Sequence, residues 1–151
     1  MKRIERLRQE LKNLGLDAFL VQQPENRRYL TGFTGSAGTV IVTAEAALLL
    51  VDFRYTEQAG KQAPGFEVVQ IKDTLEKELP PFLERLGGKR WGFESAFVTV
   101  AQYEKLRPTF EAAGIALEGV ENLVERLRAV KDEEELALLR QAIRLTDEAF
   151  A

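Results

Sequence analysis

The sequence predicts an α/β domain in which a mixed β-sheet is flanked by helices. Three observations carry that reading. Short apolar runs (LDAFLVQ, GTVIVT, AALLLVD, FEVVQIK, KRWGFE and IALEGV) alternate with amphipathic stretches, the order expected when a sheet is buried between helical layers. Two of the runs are separated only by a short polar turn around Glu45, which predicts an antiparallel hairpin inside that sheet. The chain has 151 residues, one domain's worth, with enough length to bury a core.

Each element has a local reason. Ile4, Leu7, Leu11 and Leu14 recur at helical spacing among charges, and Gly15 is placed to end that helix. LDAFLVQ follows as a strand, and the hairpin strands GTVIVT and AALLLVD come after a glycine-rich stretch. RYTEQAGKQA predicts a short helix stopped at Pro64-Gly65, and FEVVQIK another strand. TLEKELPPFLERLGG has helical period on both sides of Pro80-Pro81, so a kinked or divided helix is expected. KRWGFE reads as a strand with Trp91 partly buried, TVAQYEKLRPTFEAAG as a helix, and IALEGV as the last strand. VENLVERLRAV is helical, and Asp132 with Glu135 three residues on forms a capping-box start for one more helix. On that helix Leu136, Leu139, Ile143 and Phe150 share a face, and no Gly, Pro or basic cluster stops the pattern. The helix that residues 131–151 begin is therefore expected to be cut off within a longer chain. The alternative is a terminal helix docked on its own domain.

Composition excludes several kinds of chemistry. The 21 Lys and Arg are scattered among 24 Asp and Glu, for a net charge of −3, so no basic stripe marks a nucleic-acid partner. No apolar run is long enough to span a bilayer as a helix, and the charged amino terminus lacks the apolar core of a secretory signal. A cytoplasmic protein, with neither nucleic acid nor membrane as partner, is the expectation. There is no cysteine and no histidine, which removes thiolate nucleophiles, imidazole bases and the commonest transition-metal ligands. No metal site and no catalytic residue is assigned to this chain.

The stretch YLTGFTGSAGTVIVT places Gly32, Gly35 and Gly38 at even spacing. A phosphate cradle needs strand, glycine turn and then helix, because the helix amino terminus supplies the amide donors. Here GxxGxxG matches neither phosphate-binding pattern, the P-loop lysine is missing, and a β-branched run follows. The glycines predict a turn that feeds a strand.

Read together, ENRRYLTGFTGSAGTVIVT and LLLVDFRYTEQAGKQAPGFEVVQ resemble the amino-terminal domain of the creatinase, prolidase and aminopeptidase P family. The matching positions are Asn26, Tyr29, Leu30, Gly32 and Phe33 before the hairpin, and Asp52, Arg54 and Tyr55 after it. LRAVKDEEELALLRQAIRLTDEAF resembles the family's linker helix. The resemblance implies a creatinase/prolidase N-terminal domain with a ribonuclease H-like motif over residues 1–130. It further implies a separate pita-bread catalytic domain, where two divalent metals (Mn, Co or Zn) activate water for hydrolysis in a metallopeptidase. This chain would be the inactive, non-catalytic part of an Xaa-Pro dipeptidase or aminopeptidase. Its expected partners are its own catalytic domain, further copies in a homodimer or higher oligomer, and short proline-containing peptides. The alternative is a standalone peptide- or protein-binding scaffold.

Within that reading Arg54 is the foremost substrate-facing candidate, since a guanidinium just past a strand end can hold a peptide carboxylate through two hydrogen bonds. The structural alternative pairs Arg54 with Asp52 or Glu57. Asp52 and Tyr55 are further cleft candidates, with capping of the following helix as the structural alternative for Asp52, and Tyr29 and Phe33 are expected to line the cleft or pack beneath the hairpin. The KDEEE run at 131–135 offers consecutive glutamates that point in different directions around a helix and so cannot share one metal.

Overall fold

The computed structural model describes residues 2–151. The elements run α1 (Lys2–Leu14), β1 (Ala18–Val21), α2 (Pro24–Thr31), β2 (Thr39–Thr43), β3 (Ala47–Val51), α3 (Thr56–Gln62), β4 (Glu67–Gln70), α4 (Leu75–Glu78), α5 (Pro80–Leu86), β5 (Arg90–Glu94), α6 (Val100–Ala112), β6 (Ala116–Val120), α7 (Leu123–Ala129) and α8 (Glu133–Phe150). The strands form one six-stranded sheet in the order β4-β3-β2-β1-β5-β6. Only β2 runs against its neighbours, while β1, β3, β4, β5 and β6 all point the same way. This is a ribonuclease H-like arrangement with β4 added at one edge, and it carries the carboxyl ends of five strands to a single rim.

Alternation along the strands builds two cores. Phe19, Val21, Val40, Val42, Leu49 and Val51 face α1, α2, α3 and α7, meeting Ile4, Leu7, Tyr29, Ala59 and Leu127. Ala18, Leu20, Ile41, Leu48 and Leu50 face the other way, onto Leu79, Leu83, Leu106 and Phe110 of the α4–α6 layer. All four residues of β1 are buried, as expected of a central strand covered on both faces.

The predicted hairpin forms with Thr39 opposite Leu50 and Val42 opposite Ala47. The proline pair divides its helix into α4 and α5, with Pro80 opening the second segment, the position where a missing N–H costs nothing. Helix α2 spans a stretch for which the sequence pattern predicts no element. Pro24 starts it and Gly32, at φ 80°, ends it. One expectation is corrected: Trp91 is fully buried rather than partly so, because β5 lies inside the sheet and α6 covers it. Its indole N–H donates to the Gly87 carbonyl at 2.8 Å, and its ring meets Phe110 edge-on at 5.6 Å.

Helix α8 begins with the expected capping box: Asp132 Oδ1 accepts from Glu135 N at 2.9 Å, and Glu135 Oε2 accepts from Asp132 N at 2.9 Å. Arg3 ties this start to α1 through Nε and Nη2, which donate to Asp132 Oδ2 at 3.1 and 2.8 Å. Beyond Leu136 the apolar stripe stands in solvent, with Leu139 47%, Ile143 58% and Phe150 88% exposed, so it is not docked on this domain. Among the described residues no helix is long and apolar enough to cross a membrane.

Glycine 92 shows how tightly the central strands meet α1's loop. A Cβ there would fall 2.6 Å from Phe19 Cδ2 and 2.9 Å from Leu16 Cδ1, whereas one on Gly60 in α3 would meet nothing within 4 Å. Urea unfolding should therefore show Gly92→Ala destabilised by about 1–3 kcal/mol through overpacking. Gly60→Ala should be stabilised by about 0.4–1 kcal/mol through a less mobile unfolded chain.

Candidate functional site

In open α/β sheets a crevice forms outside the carboxyl ends of adjacent parallel strands whose following helices leave to opposite faces. Strands β1 and β5 meet this condition, since α2 packs on one face and α6 on the other. The crevice is filled by the protein itself. Glu94, ending β5 and only 4% exposed, accepts at one oxygen from the amides of Gln22 and Gln23 (2.7 and 2.8 Å) and at the other from Asn26 Nδ2 (2.7 Å). Asn26 also donates to Glu125 at 2.9 Å and accepts from Arg128 Nη1 at 3.0 Å, which joins α2 to α7. Burial pushes the Glu94 carboxyl above the usual carboxylate range, and the three donors pull against that rise.

Beside it, the glycine loop closes around a cation. Arg27 is 2% exposed. Its Nη1 donates to the carbonyls of Gln22 (3.1 Å) and Gly38 (2.9 Å), and its Nη2 to that of Gly35 (2.9 Å). Carbonyl oxygens, not amide hydrogens, point into the loop. That polarity suits a guanidinium and rejects a phosphate.

The exposed part of this rim is the corner after β3. Asp52 takes Arg54 Nε at 3.0 Å and Nη2 at 2.8 Å, and Arg54's backbone N–H at 3.0 Å. The contact with Arg54 holds the Asp52 carboxyl below its usual range and raises the guanidinium in return. Nη1 and the outer N–H of Nη2 have no partner among the described residues, and they form a second edge suited to a carboxylate. The guanidinium stands 5.3 Å from the centre of the Tyr55 ring, and Tyr55 meets Phe33 edge-on at 5.7 Å. The Tyr55 hydroxyl is hydrogen-bonded to Ser36 Oγ. Phe53, between the two charged residues, is 75% exposed. A hollow of about 450 Å³ opens beside Asp52, lined in part by Gly38, Thr39, Lys72 and Asp73.

The structure thus gathers Asp52, Arg54, Tyr55 and Phe33 at one corner, with Phe33 in the core beneath it. Tyr29 lies elsewhere, with its ring under the Arg3 guanidinium at 4.4 Å and its hydroxyl donating to the Leu127 carbonyl at 3.4 Å. Leu30 is core, and Asn26 belongs to the Glu94 network. Asp52 does not cap α3; its carboxylate caps the turn that precedes it, because Arg54 N is the amide within reach. Glu57 pairs with Lys61 at 2.6 Å and leaves Arg54 to Asp52. Sequence reasoning missed Glu94, Arg27 and Ser36. The one available signal was a carboxylate closing the otherwise apolar strand WGFE. No group of three or more His, Cys, Asp or Glu side chains placed to hold a metal occurs among the described residues, so these residues do not fit a divalent metal pair.

Residues 3–130 match the family model of the Creatinase/Prolidase N-terminal domain. A peptidase of Bacillus subtilis named YqhT, described as uncharacterized, is 38% identical over 148 residues, which is 98% of this chain and 41% of that protein. Among solved structures, the Xaa-Pro dipeptidase from Bacillus anthracis superposes with a TM-score of 0.90 at 37% identity, covering 99% of this chain and 41% of that one. The N-terminal domain of cytoplasmic peptidase PepQ from Mycobacterium tuberculosis H37Rv superposes with a TM-score of 0.77 at 36% identity, covering 83% of this chain and 98% of that one.

Glu94 gives a test by pH. Its raised carboxyl holds a proton more tightly in the native state than the unfolded value of 4.5 allows, so its contribution is greatest below that pH and is lost as pH rises through the raised value. Glu94→Gln turns an amide N–H toward a donor and should cost roughly 1.5–3 kcal/mol. Urea titrations should show this deficit narrowing as pH rises above the unfolded value of 4.5.

Proposed function

Because this chain belongs to the creatinase/prolidase N-terminal domain family, we propose that it is the non-catalytic amino-terminal part of a metal-dependent Xaa-Pro peptidase of prolidase or aminopeptidase P type. The chain spans 41% of the length of the Bacillus subtilis relative and of the Bacillus anthracis dipeptidase, and catalysis belongs to the remaining length. The divalent metals that such a peptidase uses would be held there, since no side-chain group among the described residues suits them. Like the PepQ relative, the full protein would work in the cytoplasm. In a homodimer, or a higher oligomer, the corner of Phe53 and Arg54 would wall the substrate cleft.

The observation that carries this reading is the Arg54 guanidinium. Asp52 occupies one edge of it and leaves the other edge turned outward at the corner after β3. A short peptide ending in proline presents its carboxylate a fixed distance from the scissile bond. A guanidinium holding that carboxylate equally in the ground and transition states lowers KM and leaves kcat nearly unchanged.

In the full-length enzyme, Arg54→Ala should raise KM for Xaa-Pro dipeptides about 10- to 100-fold, the size of a charge-assisted pair of hydrogen bonds. Carboxamide-ended Xaa-Pro substrates should keep their KM. Arg54→Lys should recover only part of the loss, because an ammonium cannot serve Asp52 and a second carboxylate in one plane. Equal KM changes for the acid and amide substrates would refute the assignment.

A further inference from the structure

Resting on that reading of Arg54, the loop from Gly32 to Gly38 has a purpose its own packing does not explain. Thr34, Ser36 and Ala37 are exposed, yet a buried arginine holds the loop. No carboxylate forms an ion pair with Arg27 among the described residues; its three hydrogen bonds go to carbonyls, two of them in this loop. A buried cation without a paired anion is a costly way to pin a surface loop. The loop is also tied by Thr34 N–H donating to Gln62 Oε1 at 2.9 Å. Gly35 lies so close to the tip of the Phe33 ring that a Cβ would come within 2.1 Å of Cζ.

What this loop presents is Ser36, and Ser36 holds the hydroxyl of Tyr55. Tyr55 is the floor under Arg54, at 5.3 Å. Asp52 fixes Arg54 in the plane of their two hydrogen bonds, but both side chains are open to water, 31% and 60% exposed, so the pair can swing together about its own backbone. A tyrosine ring held from below at Phe33 and from its far end at Ser36 stops that swing. We propose that Ser36 and Tyr55, anchored through the loop on Arg27, are positioning residues that aim the Arg54 guanidinium at the carboxylate of a short peptide.

The first readout is the order of the Arg54 Nε–H group, by 15N relaxation NMR on this 151-residue chain. Arg27 stays intact, because its removal endangers the fold. Tyr55→Phe keeps the ring and Ser36→Ala keeps the loop, and each should loosen Arg54 while the thermal midpoint stays in place. Ser36→Thr, which retains the hydroxyl, should restore the order. In the full-length enzyme both deletions should raise KM for free-acid Xaa-Pro dipeptides about two- to tenfold, the size of one neutral hydrogen bond. The carboxamide substrates and kcat should be unaffected. An Arg54 side chain equally ordered in both variants overturns the inference, as does an unchanged free-acid KM in both alongside a raised one in Arg54→Ala. Loosening of Arg54 in both variants, with Arg54→Ala kinetically silent, would leave the positioning established and remove the carboxylate reading instead.

Discussion

The carboxylate of Glu94 is the constraint from which the carboxyl rim of the sheet follows. A charge at the end of β5, out of water, must find donors. The nearest are the first amides after β1, and they reach it only if the chain leaves β1 by turning into α2 at once. Pro24 makes that turn inexpensive by opening the helix. The third donor, Asn26, sits one turn into α2 and carries the network on to Glu125 and Arg128 of α7. One buried oxygen pair thus couples two strands and two helices, and it occupies the crevice that a ligand takes in many sheets of this kind.

With that crevice plugged, the accessible chemistry moves along the rim to the corner after β3. The same helix that supplies Asn26 supplies Arg27 in the next position. The two side chains leave α2 in different directions, one toward β5 and the other toward the glycine loop. The loop, α2 and the strand ends consequently behave as one framed unit, and the exposed Asp52–Arg54 pair rests on its edge. The pair owes little stability to being an ion pair, since both partners are open to water. Its value is orientation, which a framed base supplies and screening does not remove.

The sheet and its helices were legible because their signals are periodic. Residues alternating along β2 and β3, and residues three and four apart in α1, each report a buried face whatever the neighbours are. Helix α2 was not legible, because Asn26, Arg27 and Tyr29 mix polar and apolar residues on a helix buried on several sides. Burial there is paid for by hydrogen bonds rather than by apolar contact, and a hydrophobicity pattern cannot register that. Trp91 was misjudged for a related reason: its depth depends on β6 lying outside β5, a matter of strand order and not of local composition. The motif residues of the corner were visible by resemblance. Their division into a presenting pair, Asp52 and Arg54, and a supporting ring, Tyr55, became visible only with distances.

The glycine loop shows why spacing alone does not give the sign of what a loop binds. When a helix follows the glycines, the free amides of its first turn face the loop and the site is positive. Here a strand follows, and its amides are spent on the ladder from β2 to β1 and β3. The groups left facing inward are the carbonyls of Gly35 and Gly38, so the loop is negative inside and closes on Arg27. The element after a glycine turn therefore decides between an anion cradle and a cation cage. In this chain the cage is filled by a residue of the preceding helix, which turns a pattern that invites a ligand into a fixed part of the scaffold.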